Sequence, residues 1–121
     1  MHKILIVDDQ LEVRQLVEVT LRGEDVEILH ASNGEEALAV ARSEKPHLVL
    51  MDVMMPGRLD GLEATRAIKS DPETCHCTVI LLTAKGQETD RRRGLEAGAE
   101  AYFTKPFSPL ALIKCIESNL V

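Results

Sequence analysis

Short apolar runs alternate with longer amphipathic segments along the chain. The runs predict β-strands at about 3–8, 26–30, 48–52, 79–83 and 101–104. This alternation is typical of repeated βα units around a parallel sheet. The first, third and fourth runs are almost continuously apolar, which predicts strands buried on both faces. The second run, Val26-Glu27-Ile28-Leu29-His30, is mixed in polarity and predicts an edge strand.

Polar residues mark the predicted starts of the intervening helices. Three segments have the pattern of a capping box, in which the N-cap side chain and an acid three residues later each accept a backbone hydrogen bond. These segments are Asp9 to Glu12, Asn33 to Glu36 and Asp60 to Glu63.

The last two predicted helices differ in their apolar content. Ser108-Pro109 predicts an N-cap followed by proline at the first helical position. The residues expected to form one apolar stripe on the helix that follows are Leu110, Ile113, Ile116 and Leu120. The segment from Gly86 to Ala97 contains three consecutive arginines and few apolar residues beyond Leu95, so we expect a loosely docked and largely exposed helix.

Length and charge narrow the class of protein. A chain of 121 residues predicts one domain spanning 1–121. No apolar stretch approaches the ~18 residues of a membrane span, and no signal peptide follows Met1, so we expect a cytoplasmic protein without membrane contact. The net charge of −6 argues against direct nucleic-acid binding. Cys75-His76-Cys77 lacks the second ligand pair of a zinc site, so we reject that interpretation.

Five chemically useful side chains fall at the carboxyl ends of predicted strands. Asp8 and Asp9 follow the first strand, Asp52 ends the third, Thr83 ends the fourth, and Lys105 follows the fifth. Taken singly, each has an ordinary alternative role as a helix cap, turn residue, strand residue or solvated lysine. Taken together, they predict a shared pocket, because open α/β sheets bind ligands at this edge.

Three carboxylates in one crevice repel each other, and a hard divalent cation relieves that repulsion. Magnesium prefers oxygen ligands, keeps several waters and is often shared with a phosphoryl group. A carboxylate at such a site can attack phosphorus to form an aspartyl phosphate. An ammonium and a hydroxyl beside it can each bind a phosphoryl oxygen, so the set favours phosphoryl transfer to an aspartate.

The chain resembles the receiver domain of response regulators throughout its length. The resemblance implies a doubly wound α/β fold of the flavodoxin-like type, with five parallel strands in the order 2-1-3-4-5 and five flanking helices. Each matching segment alone is weak, but the set in this order and at this spacing is very specific. The segments are Ile6-Val7-Asp8-Asp9, Leu50-Met51-Asp52-Val53-Met54-Met55-Pro56, Leu82-Thr83-Ala84, Gly94-Leu95-Glu96-Ala97-Gly98-Ala99 and Tyr102-Phe103-Thr104-Lys105-Pro106-Phe107.

The resemblance implies that Asp52 is the phospho-acceptor and that Mg²⁺ is the cofactor. Asp9 is expected to bind the ion directly and Asp8 mainly through water. The backbone carbonyl of Met54 is expected to be a further ligand.

Further roles follow from the resemblance on the fourth and fifth strands. Lys105 is expected to contact the phosphoryl group, through a Lys105–Pro106 peptide bond that is cis in the family. Thr83 and Tyr102 are the expected switch residues. Thr83 would move to donate a hydrogen bond to the new phosphoryl group, and Tyr102 would fill the vacated space. The alternative for Tyr102 is an ordinary half-buried strand aromatic.

One loop departs from the family pattern. The family usually has two residues between the proline after the third strand and an Asp-Gly pair. This chain has three residues between Pro56 and Asp60. The loop borders the predicted pocket, so the resemblance does not extend to its conformation.

The function implied by the resemblance is a signalling switch and not a conventional enzyme. A sensor histidine kinase or a phosphotransfer protein would supply the phosphoryl group, and the domain would support only its own phosphotransfer and autodephosphorylation. A downstream effector would bind the face formed by the fourth helix, fifth strand and fifth helix. We expect a monomer or a phosphorylation-linked dimer, either as a whole protein or as a domain of a longer one.

Three alternative functions fit the sequence less well. A phosphatase of the haloacid-dehalogenase type needs an Asp-x-Asp pattern after the first strand, which Asp8-Asp9-Gln10 lacks. A flavin-binding module is disfavoured by the 2% aromatic content and by acids where a phosphate loop would lie. A degenerate receiver acting as a phosphorylation-independent interaction module is the main alternative, and the presence of the acids, Thr83 and Lys105 argues against it.

Overall fold

The computed structural model describes residues 2–22, 25–53, 55, 57, 59–84, 88–105 and 108–119, with the backbone alone described at 84, 88–91 and 105. The strands are β1 (His2–Val7), β2 (Val26–Ala31), β3 (Leu48–Asp52), β4 (Thr78–Ala84) and β5 (Ala101–Lys105). The helices are α1 (Leu11–Thr20), α2 (Gly34–Glu44), α3 (Gly61–Ser70), α4 (Glu88–Glu96) and α5 (Pro109–Asn119). No helix within these described ranges combines the length and the apolar character that crossing a bilayer requires.

The strands form one parallel sheet in the order β2-β1-β3-β4-β5. The predicted fold and the edge position of β2 are therefore confirmed. Because successive side chains of a strand point to opposite faces, the central strands contribute to two separate cores. The core that includes residues of α2 and α3 contains Leu5, Val7, Val49, Met51, Val79 and Leu81. The core that includes residues of α1 and α5 contains Ile4, Ile6, Leu48, Leu50, Ile80 and Leu82.

Two of the predicted capping residues begin helices as expected. At α3 the capping box is complete, since Asp60 Oδ1 accepts from the Glu63 amide at 2.8 Å and Glu63 Oε1 accepts from the Asp60 amide at 3.1 Å. At α2 the Asn33 side chain accepts from the Glu36 amide at 2.8 Å, but the Glu36 carboxylate accepts from Ser32 Oγ at 2.7 Å. The hydrogen bonds from Ser32 lower the pKa of Glu36.

The predicted cap at Asp9 is wrong. Helix α1 begins at Leu11, its N-cap is Gln10, and that N-cap makes no side-chain hydrogen bond. The start is displaced because Asp8 Oδ1 accepts from the Gln10 amide at 2.9 Å, which turns the chain directly after β1. The exposed Asp9 side chain is therefore not used to cap α1.

The predicted apolar stripe on α5 is partly wrong. Leu110 is 62% exposed, whereas Leu112 and Ile116 are buried in the core beneath the helix. Ile113 is partly buried beside them. A pair at i and i+4 therefore faces the sheet, and Leu110 lies on the solvent side. Leu120 lies outside the described residues.

Helix α4 is largely exposed, as predicted, for the side chains that the structure describes. Arg92, Arg93 and Leu95 are exposed. Gly94 is buried against the sheet, and a Cβ atom there would lie 2.1 Å from Leu81 Cδ1. The helix thus contacts β4 through its glycine.

Candidate functional site

The pairing of β1 with β3 brings two predicted site residues together. Val7 pairs with Met51, so the next residues, Asp8 and Asp52, lie side by side at the carboxyl edge of the sheet. The carboxylates of Asp8, Asp9 and Asp52 offer ligand atoms that all lie within 4.8 Å of one another. Within the described part of the chain, this is the one such group of three or more acidic, histidine or cysteine residues.

Burial and donor chemistry make this group suitable for Mg²⁺. Asp8 is fully buried and Asp52 is 5% exposed, whereas Asp9 is exposed. Buried carboxylates need a compensating charge or hydrogen bonds, because removing a charge from water is costly. Three carboxylates supply only oxygen donors, the type that Mg²⁺ prefers, and the exposed side of the group leaves room for the waters that this ion retains. The residues present therefore fit the cofactor that the sequence predicts.

Thr83 has a buried hydroxyl group for which the described residues provide no partner. The residue is 1% exposed, and its Oγ1 atom makes no hydrogen bond within the described structure. Two other buried threonines differ, since Thr65 Oγ1 donates to Gly61 O and Thr74 Oγ1 donates to Ile68 O, each at 2.7 Å. Leaving a buried polar group unsatisfied costs about 1–3 kcal/mol. Thr83 follows Leu82, which pairs with Asp52, so a donor without a partner among the described residues lies on the strand next to the predicted acceptor.

Strand β5 brings the second predicted switch residue near the first. Thr83 pairs with Thr104, and Leu81 pairs with Tyr102. Paired residues of parallel strands lie on the same face of the sheet, so Thr83 and Tyr102 share one face. Tyr102 is partly buried on this face.

The remaining predicted site residues are described only in part. The backbone of Lys105 pairs with Ala84, which places it at the same edge of the sheet as Asp52. The side chain of Lys105 is not described. Met54, and Pro106 with the predicted cis bond before it, lie outside the described residues.

The first residue of α3 packs directly against the predicted acceptor. Gly61 donates its amide to Val53 O at 3.0 Å. A Cβ atom at Gly61 would lie 2.0 Å from Asp52 O, so only glycine fits at this position. The backbone that follows Asp52 is therefore held at both ends of the β3–α3 loop.

A family model described as the response regulator receiver domain matches residues 4–117. The chain belongs to this family. The phosphate regulon transcriptional regulatory protein PhoB of Pseudomonas aeruginosa is 44% identical over 117 residues, which cover 97% of this chain and 51% of PhoB. PilH of the same organism is 43% identical over 120 residues, covering 99% of this chain and 98% of PilH. The chain thus spans about half the length of PhoB and nearly all of PilH.

Solved structures of receiver domains have the same fold. A protein of Chloroflexus aurantiacus described as a response regulator has a TM-score of 0.93 and 36% identity, covering 98% of this chain and 97% of its own. The chemotaxis response regulator CheY4 of Vibrio cholerae has a TM-score of 0.91 and 32% identity, covering 99% of each chain. The receiver fold is therefore established by sequence and by structure.

The Cys-His-Cys segment of this receiver domain lies away from the acidic group. Cys77 directly precedes β4, at the edge of the sheet opposite the acids. Its buried thiol donates to Pro46 O at 3.0 Å, and burial raises the pKa of this thiol. Cys75 is exposed.

One contact beside the site of this receiver domain was missed by sequence reasoning. Glu35, in the first turn of α2, accepts a hydrogen bond from the Leu59 amide of the β3–α3 loop at 3.2 Å. The two residues are 24 positions apart, so no local pattern signals the contact. The one available signal was the extra residue between Pro56 and Asp60, which marked this loop as different from the family pattern.

Proposed function

We propose that this receiver domain is a phosphorylation-dependent switch whose acceptor is Asp52. A phosphohistidine on a sensor histidine kinase or a phosphotransfer protein is the donor. In the transfer the donor's N–P bond breaks and a bond forms between phosphorus and a carboxylate oxygen of Asp52, giving an aspartyl phosphate. The observation that carries the proposal is the convergence of the carboxylates of Asp8, Asp9 and Asp52 at the carboxyl edge of the sheet, where the neighbouring strand carries the unsatisfied hydroxyl of Thr83.

Mg²⁺ is the proposed cofactor of the acidic group. The proposed ligands are Asp9 and Asp52 directly, Asp8 mainly through water, and the backbone carbonyl of Met54. When bound, the ion supplies positive charge that offsets the carboxylates and the oxygens of the transferring group. Asp8 also holds the turn after β1 through its hydrogen bond from the Gln10 amide.

The proposed switch uses residues of β4 and β5. The hydroxyl of Thr83 donates a hydrogen bond to one phosphoryl oxygen. The ammonium of Lys105 binds a second phosphoryl oxygen. Tyr102, on the same face of the sheet as Thr83, moves into the space that Thr83 leaves. The face of α4, β5 and α5 is the proposed effector surface, and Leu95 and Leu110 are exposed side chains of two of these elements.

The test is incorporation of a phosphoryl group from a small acyl phosphate in the presence of Mg²⁺, measured by intact mass. We expect one added phosphoryl group on the wild-type chain, its loss by autodephosphorylation, and no addition to Asp52→Asn. The control is Asp71→Asn, which changes an aspartate at the end of α3 bound to Arg42 and should leave incorporation unchanged. Equal incorporation by Asp52→Asn and the wild type would show that another residue is the acceptor.

A magnesium titration distinguishes the proposed switch from the alternative, a degenerate receiver that works without phosphorylation. The wild-type chain should bind Mg²⁺ at millimolar concentration, and Asp9→Asn should weaken that binding because it removes a proposed ligand without removing a helix cap. A wild-type chain that neither binds Mg²⁺ nor takes up a phosphoryl group would favour an interaction module that works without phosphorylation.

A further inference from the structure

The β3–α3 loop of this chain contacts the start of α2 through a side chain outside the acidic group. Glu35 Oε1 accepts a hydrogen bond from the amide of Leu59 at 3.2 Å. This contact joins a helix that packs on one side of the sheet to the loop that leaves the proposed acceptor strand. It lies in the loop that is one residue longer than the usual receiver pattern.

Two glycines allow α2 and the loop to approach this closely. A Cβ atom at Gly34 would lie 2.7 Å from both the Cβ atom and the carbonyl oxygen of Leu59. Gly57 has a φ of +108°, a conformation that L side chains rarely adopt, and a Cβ atom there would lie 3.3 Å from Glu35 Oε2. The carboxylate of Glu35 thus faces the loop at two residues, Gly57 and Leu59.

The contact at Leu59 is linked to the acceptor by a short series of backbone interactions. The next residue, Asp60, caps α3 through a complete capping box. The residue after it, Gly61, packs on the carbonyl of Asp52 and donates its amide to Val53 O. Leu59 is therefore only two residues from the backbone that packs against Asp52.

We propose that Glu35 is a positioning residue for phosphoryl transfer to Asp52. By accepting from the Leu59 amide, Glu35 holds the lengthened loop against α2 and fixes the backbone that borders the acceptor. The inference rests on the proposed function of Asp52. A purely structural alternative is that Glu35 stabilises α2 because an acid in the first turn interacts favourably with the helix dipole.

The experiment compares three variants with the wild type. Glu35→Ala removes the acceptor, Glu35→Gln keeps an oxygen acceptor but loses the charge, and Glu44→Ala changes another acid of α2 that is bound to Lys3. Each chain is phosphorylated with a small acyl phosphate over a range of Mg²⁺ concentrations. Urea unfolding and amide hydrogen exchange at Leu59 are measured on the same samples without phosphodonor.

A positioning role predicts a particular pattern across these variants. Glu35→Ala should lower the rate of phosphorylation about threefold to tenfold, the range expected for one partly solvated hydrogen bond. It should also speed exchange of the Leu59 amide. Glu35→Gln should stay within about twofold of the wild type in both measurements, because its carbonyl oxygen still accepts. Glu44→Ala should not change either one.

Equal phosphorylation rates for Glu35→Ala and Glu44→Ala would overturn the inference. The helix-dipole alternative would be supported if Glu35→Gln lost as much stability as Glu35→Ala while both kept the wild-type rate. If the wild-type chain takes up no phosphoryl group, the proposed function fails and the positioning role fails with it. That outcome is distinct from a phosphorylated wild type with unaffected variants, which refutes the role of Glu35 alone.

Discussion

Replacing Thr83 with valine should stabilise the unmodified protein, although the residue is fully buried. Most substitutions of buried residues are destabilising, typically by about 0.5–3 kcal/mol. At Thr83 the sign reverses, because Oγ1 is buried and makes no hydrogen bond within the described structure. Valine has nearly the same shape and carries no polar atom. Removing the desolvation penalty of an unsatisfied hydroxyl should therefore raise the free energy of unfolding by about 1 kcal/mol.

Two other buried threonines provide matched controls. Thr65 and Thr74 are as buried as Thr83, but each hydroxyl donates a hydrogen bond of 2.7 Å to a backbone carbonyl. Thr65→Val and Thr74→Val should each lower the free energy of unfolding by about 1 kcal/mol, because each loses a satisfied hydrogen bond. The assay is urea unfolding monitored by circular dichroism, without Mg²⁺ or phosphodonor. A difference of about 2 kcal/mol between Thr83→Val and the controls follows from these values.

Phosphorylation should make the wild type more stable to unfolding than Thr83→Val, the reverse of the order expected for the unmodified proteins. In the wild type the hydroxyl gains an acceptor on the phosphoryl group, whereas the valine variant has no donor to offer. Hydrogen bonds to charged groups contribute about 1.5–3 kcal/mol. The wild type should therefore gain more stability on phosphorylation than Thr83→Val. If Thr83→Val is as destabilising as the two controls in the unmodified state, the hydroxyl has a partner in solution and the reasoning is wrong.

Three further predictions follow from the packing and the charges. Gly61→Ala should lower the free energy of unfolding by about 3 kcal/mol or more in urea, because its Cβ atom would lie 2.0 Å from Asp52 O. Leu112→Ala should cost about 2–5 kcal/mol and Leu110→Ala less than about 0.5 kcal/mol, and equal costs would contradict the observed orientation of α5. The pKa of Glu36 is lowered from 4.5 by hydrogen bonds from the neighbouring serine. Its contribution to stability should therefore be present above pH 4.5 and lost as the pH falls below that value. Glu36→Gln should show a weaker decline of unfolding free energy in this acidic range, and an unchanged decline would refute the assignment.

The strands and their order could be predicted from the sequence because the pattern is strong and local. Strand β3 has all five residues buried, and its sequence, Leu48-Val49-Leu50-Met51-Asp52, is apolar until the last position. Strand β2 is mixed in polarity and only Ala31 of its six residues is buried, as expected of an edge. The convergence of Asp8 and Asp52 then follows from parallel pairing, in which strand ends share one edge.

The errors arose where two local interactions compete. Asp9 has the sequence pattern of an N-cap, but Asp8 accepts from the Gln10 amide and displaces the helix start by one residue. On α5, stripes that include Leu110 or Leu112 share Ile113 and Ile116, so periodicity alone leaves the orientation of the helix undecided. Packing against the sheet fixes the orientation of α5, because Leu112 is buried in the core beneath the helix.

The contact between Glu35 and the lengthened loop also explains how an extra residue is accommodated beside the acceptor. The start of α3 is fixed by Gly61, whose amide bonds Val53 O and whose missing side chain leaves room for Asp52 O. Two described residues of the longer loop, Gly57 and Leu59, lie against the start of α2. There Gly57 has a positive φ and Leu59 donates to Glu35. This contact with α2 and the packing of Gly61 on Asp52 O together hold the segment that borders the acceptor.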